Sequence, residues 1–230
     1  MEIRRAGKSG LELSRLGLGT MTWGRDTDTH EAAEQVRSYI EAGGNFIDTA
    51  ASYAAGDAER VIGGLVGTFF NREDVVIATK AGITFPEGVR TVNNSRHFLI
   101  GELEKSLTRL GTDYVDIWQI HSWDADVALE DTLSALDFAY TSGKARYVGI
   151  SNFNGWQSAR AISLQEANTA KAPIATIQSE YSLLNRSIEN EIVDCASELG
   201  VGILAWSPLG RGVLTGKYRN SIPADSRGAT

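Results

Sequence analysis

The sequence predicts an α/β protein in which a parallel sheet is covered by helices. Seven short apolar runs alternate with amphipathic stretches, at the spacing of about 30 residues that is typical of strand–helix units. Most of the runs are predominantly apolar rather than alternating, as strands are when both faces of a sheet are buried. The stretches between them place apolar residues three and four positions apart, a pattern that favours helices.

The elements follow one another in a regular order. Residues 3–5 and 11–14 flank a glycine-bearing turn and predict a β-hairpin. Strands are predicted at residues 16–20, 45–48, 75–80, 114–121, 146–150, 176–180 and 202–206. Among the helices between them, the clearest begins at Ser95 and is closed by Gly111.

Two architectures contain such a sheet: an open, doubly wound sheet and a (β/α)8 barrel. An open sheet that binds a dinucleotide carries a G-x-G-x-x-G pattern after its first strand. Gly17 and Gly19 match the first two positions, but Thr22 occupies the third. A phosphate-loop motif does not fit either, because Arg211 stands where its first glycine belongs. The sequence therefore favours the barrel.

Composition narrows the class of protein. The net charge of -7 and the hydrophobic fraction of 42% favour a globular protein and argue against a general nucleic-acid surface. The sequence contains no apolar run of membrane-spanning length and no signal-peptide pattern. The single cysteine, Cys195, aligns with apolar helix positions, and the three histidines lack metal-ligand spacing. We expect a cytoplasmic protein without a metal site, a membrane span or a nucleic-acid partner.

Three consecutive predicted strands end on a titratable residue. Asp48, Lys80 and His121 close the second, third and fourth strands, and a tyrosine, Tyr53, follows the first of them by five positions. Taken singly, each has a structural explanation, since aspartates cap turns, lysines extend to solvent and tyrosines pack. The carboxyl ends of barrel strands, however, meet on one rim, where barrel enzymes hold their catalytic residues. Together the four residues indicate an acid–base site.

These groups suit proton transfer to a carbonyl oxygen. A free phenol has a pKa of about 10 and exchanges protons poorly near neutrality. A neighbouring ammonium favours the phenolate, and a carboxylate can hold that ammonium in place. An imidazole can orient the carbonyl while the phenol donates its proton.

The order of short motifs adds a family resemblance. The motifs are GLGTMTWG at 17–24, NFIDTA at 45–50 with Tyr53, ATK at 78–80, His121, GISNF at 149–153 and AWSPLGRG at 205–212. In this order they resemble the aldo-keto reductases. Residues 181–186 and 206–209 are similar to the bacterial branch related to potassium-channel β-subunits.

The resemblance implies a (β/α)8 barrel whose N-terminal hairpin plugs one end, with NADP(H) extended across the opposite rim. It also implies a catalytic tetrad of Asp48, Tyr53, Lys80 and His121. In that tetrad Tyr53 is the general acid, Lys80 makes its hydroxyl more acidic and Asp48 pairs with Lys80. His121 positions the carbonyl of a small-molecule substrate.

The same resemblance assigns the binding residues. Ser151, Asn152 and Gln178 are matched to the nicotinamide carboxamide, and Trp206 to the ring-stacking position. Further positions matched to cofactor binding are Thr20, Met21, Trp23, Asp48, Ser207, Pro208, Leu209, Gly210, Arg211 and Lys217. The substrate contacts implied are Trp23, Tyr53, His121 and Trp123. For Trp123, packing is an equally good explanation.

The predicted function is reduction of an aldehyde or ketone to an alcohol, with hydride from the nicotinamide and a proton from Tyr53. The alternative is a regulatory or binding subunit that senses the nicotinamide cofactor with little turnover. The resemblance requires an eighth strand, whereas this sequence reaches Thr230 within a polar stretch, residues 220–229. We therefore expect a single barrel domain over residues 1–230 that holds seven of eight strands and is truncated before the last. Open sheet edges would allow oligomers.

Overall fold

The computed structural model describes residues 1–223 and 226, and it consists of a curved parallel sheet packed against helices. In chain order the strands are β1 (Ile3–Arg5), β2 (Glu12–Ser14), β3 (Leu18–Gly19), β4 (Phe46–Asp48), β5 (Val76–Ala81), β6 (Ile83–Thr84), β7 (Thr91–Val92), β8 (Val115–Ile120), β9 (Ala145–Ser151), β10 (Ile174–Glu180) and β11 (Gly202–Trp206). The helices are α1 (Thr29–Glu41), α2 (Asp57–Leu65), α3 (Arg96–Leu110), α4 (Leu129–Thr141), α5 (Gly155–Glu166) and α6 (Ile192–Leu199).

Seven strands pair in parallel in the spatial order β11-β10-β9-β8-β5-β4-β3. Neighbours in the sheet are thus neighbours along the chain, apart from the small pair β6–β7 inserted after β5. A doubly wound sheet would instead reverse its order at a switch point. The (β/α)8-type sheet predicted from the sequence is confirmed, and the carboxyl ends of all seven strands point to one rim.

Helix α3 begins and ends at the predicted signals. The Ser95 side chain accepts a hydrogen bond from the Phe98 amide, and Gly111 ends α3 in the left-handed conformation, with φ at 64°. The buried residues of α3 are Leu99, Leu103, Ser106, Leu107 and Leu110. Their spacing gives the helix one apolar face, which packs against the sheet.

The hairpin β1–β2 fills the end of the sheet opposite the rim. A separate buried cluster contains Ala6, Leu11, Leu13, Phe46, Ala78 and Ile117. It joins hairpin residues to residues of β4, β5 and β8. A fully buried leucine of this kind contributes roughly 2 kcal/mol relative to an exposed one. The rim at the other end is thereby left as the accessible end of the sheet.

Two elements differ from the sequence prediction. The first sheet strand was predicted over residues 16–20, but only Leu18 and Gly19 pair with β4, and Leu16 is 64% exposed. The chain after β5 forms a two-stranded ribbon, β6–β7, which the sequence analysis did not predict. Each ribbon strand has two residues, too few for a recognisable periodic pattern.

The polar stretch predicted at residues 220–229 lies partly outside the described residues, which omit 224, 225 and 227–230. Within the part that is described, no helix has the length and apolar character needed to cross a membrane.

Candidate active site

Asp48 and Lys80 form a buried ion pair at the rim. Asp48 ends β4, and Lys80 is the penultimate residue of β5. Lys80 Nζ donates to Asp48 Oδ2 at 2.7 Å and to the Thr49 backbone oxygen at 2.7 Å. The Lys80 side chain is fully buried, and that of Asp48 is 17% exposed. Without these partners the buried ammonium would be strongly unfavourable.

The pKa of Lys80 is raised above its ordinary value of 10.5 although the side chain is buried. Burial alone lowers the pKa of an ammonium, since it disfavours the charged form. Attraction by Asp48 and Tyr53, together with hydrogen bonds to both, outweighs that effect. Lys80 is therefore a cation at neutral pH, inside the barrel and directly below the rim.

Tyr53 brings its hydroxyl to the same ammonium. Lys80 Nζ lies 3.4 Å from the Tyr53 hydroxyl and 5.0 Å from the centroid of its ring. The turn that begins at Tyr53 continues through Ala54 and Ala55, which have left-handed φ values of 47° and 53°. Such residues cost about 1 kcal/mol each or more and persist where the surrounding structure enforces them. The turn thus holds the phenol over the lysine.

His121 follows β8 and faces Tyr53. The two ring centroids are 5.9 Å apart and the rings are nearly perpendicular, at 76°. Burial, followed by the positive charges of Lys80 and Arg90, lowers the pKa of His121 to about 3. The imidazole is therefore neutral at pH 7. Ser52 Oγ lies 3.4 Å from its Nδ1, and a hydroxyl that donates there leaves Nε2–H as the donor toward a ligand.

Asp48 connects the acid–base residues to a distant strand of the same sheet. Gln178 Nε2, on β10, donates to Asp48 Oδ1 at 2.8 Å. Thr20 donates its backbone N–H and its Oγ1 to the Asp48 backbone oxygen, at 3.0 Å and 3.1 Å. Thr20 and Gln178, both predicted to bind cofactor, are buried beside Asp48.

Asn152 links the ends of β9 and β11 to His121. It has a left-handed φ of 57°, and its Nδ2 donates to the His121 backbone oxygen at 2.8 Å and to Ser151 Oγ at 3.0 Å. Its Oδ1 accepts from Trp206 Nε1 at 3.1 Å. Three residues predicted to meet the nicotinamide therefore form one hydrogen-bonded group next to the acid–base residues.

The loop after β11 has an unusual backbone. Positive φ values between 53° and 95° occur at Ser207, Gly210, Arg211 and Gly212. Arg211 and Lys217 are exposed, as are Pro208 and Leu209, and neither cation forms an ion pair with any described residue. Successive backbone amides in turns of this kind can form an anion-binding concavity, and beside cations that have no ion pair in the described residues such a loop suits phosphate oxygens.

The two tryptophans predicted as pocket walls lie in different environments. Trp123 is half-buried and makes edge contacts with Phe153 and Trp156, at centroid distances of 5.2 Å and 5.4 Å. Trp23 is fully buried, and its Nε1 donates to Gln35 Oε1 at 3.0 Å. The structure thus places Trp23 in the core rather than on the open surface of the rim.

Several nearby residues were not identified from the sequence. Ser52 stands one position before Tyr53 and could have been noticed from that spacing. Trp156 and Arg90 could not, since only the folded chain places Trp156 beside Trp123 and Arg90 near His121. Met21, which was identified, is 46% exposed and makes no side-chain hydrogen bond among the described residues. In the described residues, no group of histidine, cysteine and acidic side chains could hold a metal ion.

The chain and its fold have counterparts among known proteins. The model of the family described as "Aldo/keto reductase family" matches residues 15–230. L-glyceraldehyde 3-phosphate reductase of Escherichia coli strain K12 is 37% identical over 233 residues, which is 99% of this chain and 67% of that protein. A probable voltage-gated potassium channel subunit beta of Oryza sativa is also 37% identical, over 99% of this chain and 70% of its own length.

A solved structure is similar as well. The holo form of an aldo-keto reductase from Bacillus halodurans has a TM-score of 0.81 and 31% identity, covering 97% of this chain and 70% of that one. The chain thus spans about two thirds of the length of these relatives.

Proposed function

Because the chain belongs to the aldo/keto reductase family, we propose that it reduces an aldehyde or ketone to an alcohol with NADPH. The family consists of oxidoreductases that act on small carbonyl compounds with nicotinamide cofactors. We assign one barrel domain and one site to residues 1–230. The site residues are the tetrad Asp48, Tyr53, Lys80 and His121, with the cofactor residues predicted from the sequence.

The observation that carries the proposal is the position of Lys80. Its buried ammonium contacts a carboxylate on one side and the hydroxyl of Tyr53 on the other. A cation placed in this way stabilises negative charge on the phenol oxygen as the proton leaves. A lysine that served only to join strands would need the carboxylate but not the phenol.

The residues at the rim fit a nicotinamide dinucleotide. Asn152 and Trp206 present an amide and a half-exposed ring at the ends of β9 and β11. Arg211 and Lys217, which form no ion pair within the described part of the chain, offer positive charge to phosphates from a loop with left-handed residues. Bound NADPH supplies the hydride. The chain itself holds the cofactor through these residues and supplies the proton.

The proton passes from the Tyr53 hydroxyl to the carbonyl oxygen of the substrate. Lys80 lowers the cost of the phenolate that remains, and Asp48 fixes the lysine. His121 is neutral, because its pKa is about 3, so it donates a hydrogen bond to the carbonyl without releasing a proton. Tyr53 thus supplies the proton, and His121 orients the carbonyl.

A substitution at Tyr53 tests the proposal. Tyr53→Phe keeps the ring and removes the hydroxyl, so carbonyl reduction should fall on the order of a hundredfold or more. The affinity for NADPH, measured by fluorescence, should stay within about twofold, because Tyr53 is not among the predicted cofactor contacts. The matched control is Tyr140→Phe, because Tyr140 lies exposed on α4. Turnover near that of the wild type in Tyr53→Phe would remove Tyr53 from the role.

The alternative is a regulatory or binding subunit that senses the nicotinamide cofactor. The Oryza sativa relative, a probable voltage-gated potassium channel subunit beta, supports a subunit role. A panel of aldehydes and ketones assayed with NADPH separates the two functions. A reductase oxidises the cofactor with at least one compound. Tight NADPH binding with no oxidation by any compound would instead favour the sensing role.

A further inference from the structure

Glu59 is a fully buried acidic residue that the proposed mechanism does not use. It lies in the first turn of α2, six positions after Tyr53. Its Oε1 accepts a hydrogen bond from Thr79 Oγ1 at 2.5 Å, and its Oε2 accepts one from Arg109 Nε at 2.6 Å. Thr79 belongs to β5 and Arg109 to α3, so this carboxylate joins α2 to two neighbouring elements.

Thr79 directly precedes Lys80 on β5, and both side chains are fully buried. Successive side chains of a strand point to opposite faces of the sheet. Lys80 points toward the inside of the curved sheet, where it contacts Asp48 and Tyr53. Thr79 therefore points toward the helices, where it meets Glu59. Two adjacent residues of one strand thus hold the hydroxyl of Tyr53 and the helix that follows Tyr53.

These contacts close a ring. The chain runs from Tyr53 through its turn to Glu59, which is bonded to Thr79. The next residue, Lys80, has its Nζ 3.4 Å from the Tyr53 hydroxyl. The segment before the turn is tied to the same strand, since the Ala51 amide donates to the Lys80 backbone oxygen at 3.0 Å. The position of the phenol therefore depends on the bond at Glu59, on the far side of the ring.

Arg109 supports the turn from the outside. Gly56 ends the turn with a φ of 95°, and a Cβ at this position would lie 2.7 Å from Arg109 Cδ. The arginine side chain is thus packed directly against the backbone of the turn. Its Nη2 also donates to Ser106 Oγ at 3.1 Å, and the side chain is 13% exposed. Glu59, Ser106 and Gly56 together leave the guanidinium little freedom to move.

The turn between Tyr53 and α2 needs such support. Ala54 and Ala55 have left-handed φ values, which persist only where the surrounding structure enforces them. The distance of 3.4 Å between Lys80 Nζ and the Tyr53 hydroxyl is already long for a hydrogen bond. A small shift of the turn would therefore separate the phenol from the ammonium.

Stability alone does not explain an ion pair in this place. Apolar side chains of similar volume often stabilise a fold as well as a buried ion pair does. Apolar side chains cannot, however, fix one orientation through directional hydrogen bonds. The Glu59 carboxylate provides two such bonds, and both act within one turn of helix of the segment that carries Tyr53.

We propose that Glu59, held by Arg109 and bonded to Thr79, is a positioning residue for the general acid. It fixes the turn that carries Tyr53, so that the hydroxyl stays beside Lys80 during proton transfer. Because Glu59 is buried behind the strand, it acts through Tyr53 rather than on the substrate. The inference rests on the proposed reductase function and adds to it the residues that orient the proton donor.

The mildest test removes one hydrogen bond and leaves the ion pair in place. Thr79→Val keeps the branched shape of the side chain and removes its hydroxyl. With the aldehyde or ketone that the wild type reduces fastest, kcat should fall about tenfold, because the phenol is misplaced. The KM for NADPH should stay within about twofold. Thr79→Ser retains the hydroxyl and should keep kcat within about twofold of the wild type.

A stronger test changes the carboxylate itself. In Glu59→Gln one of the two donors, Thr79 or Arg109, faces an amide N–H2 instead of an oxygen. The kcat for carbonyl reduction should then fall on the order of a hundredfold. The solvent deuterium isotope effect on kcat should rise, because proton transfer from Tyr53 becomes slower relative to the other steps. A loss of stability alone would not change that isotope effect.

The matched control is a second buried ion pair at the opposite end of the sheet. Arg72 Nη2 contacts Asp116 Oδ2 at 2.7 Å, with side chains 11% and 18% exposed. Asp116 is the second residue of β8, away from the rim. Asp116→Asn should lower the temperature of thermal unfolding, as Glu59→Gln does, but leave kcat and the isotope effect unchanged. If Asp116→Asn lowers kcat as much as Glu59→Gln does, Glu59 has only a structural role.

Hydrogen exchange provides a measurement that needs no turnover. The backbone amides of residues 53–57 should exchange faster in Thr79→Val than in the wild type, Thr79→Ser or Asp116→Asn. If Glu59→Gln does not fold, Thr79→Val and Thr79→Ser decide the question.

The outcomes separate this inference from the proposed function. Unchanged exchange in the turn, or wild-type kcat in Thr79→Val and Glu59→Gln, overturns the role of Glu59 and leaves the reductase intact. A raised KM for NADPH with unchanged kcat also overturns it, since the network would then shape the cofactor site. If the wild type reduces no carbonyl compound, the proposed function fails, and hydrogen exchange decides whether Glu59 holds the turn.

Discussion

The acid–base side of the rim and the cofactor side are built in different ways. On β4 and β5 and directly after β8 the site residues are mostly buried, and the ammonium of Lys80 is held by protein atoms only. On the loop after β11 several residues are exposed, among them Leu209 and Arg211, and the backbone bends through left-handed residues such as Ser207 and Arg211. The first side obtains its geometry from the packed core, whereas the second relies on loop conformation.

This difference has an energetic consequence. A substitution on the acid–base side disturbs buried charges, so it should change folding stability and catalysis together. A substitution on the cofactor side removes exposed groups and should change ligand affinity with little effect on stability. Asn152 stands between the two, since it bonds both His121 and Trp206. Four predictions test the contrast, beginning with the largest effect.

Lys80→Met should break the acid–base side most severely. It leaves Asp48 largely buried without its cation, which should cost about 3 kcal/mol of folding stability. Carbonyl reduction should fall on the order of a thousandfold. Denaturant unfolding and steady-state assays measure the two effects. The control is Lys105→Met, because Lys105 pairs with Glu102 on the surface of α3 and such pairs contribute roughly 1 kcal/mol at most.

The same lysine predicts a pH dependence. Its pKa is raised in the folded state, so its stabilising contribution is fully present below its ordinary pKa and is lost as the pH rises through the higher, folded value. The wild type should therefore lose stability above about pH 10.5 more steeply than Lys80→Met. Parallel alkaline profiles for the two proteins would show that the pair does not stabilise the fold.

His121 should give the next largest effect, which is a loss of folding stability at acidic pH. Its pKa is about 3 in the folded protein, against an ordinary value of 6.5. Between these values the unfolded chain binds the proton more readily, so stability should fall by about 2 kcal/mol from pH 7 to pH 5. His121→Gln should flatten that part of the profile. His97→Gln, at an exposed position on α3, should not flatten it.

The contrast also explains what the sequence could predict. Asp48, Lys80 and His121 were identifiable because each ends an apolar run, and parallel strands bring such ends to one rim. The strand order and the caps at Ser95 and Gly111 followed from local patterns in the same way. These features depend on spacing along the chain, which a single sequence records.

Contacts between distant segments were not predictable in that way. Trp23 matched a pocket position by resemblance, yet it is buried and bonded to Gln35 of α1. The ribbon that carries Arg90 has strands of two residues, too short for a periodic signal. Phe153 and Trp156 meet Trp123 only because β8 and β9 are neighbours in the sheet.

Trp206 provides the smallest and most selective test, because it lies on the cofactor side. Its ring is half-exposed, and its one side-chain hydrogen bond in the described residues goes to Asn152. If the ring stacks on the nicotinamide, NADPH should quench its fluorescence, and Trp206→Ala should weaken NADPH binding by about 1 kcal/mol, roughly fivefold. Folding stability should change little. Trp156→Ala, at an exposed tryptophan outside the predicted cofactor contacts, is the control. Unchanged NADPH affinity in Trp206→Ala would contradict the stacking role, and loss of the fold would show instead that Trp206 belongs to the core.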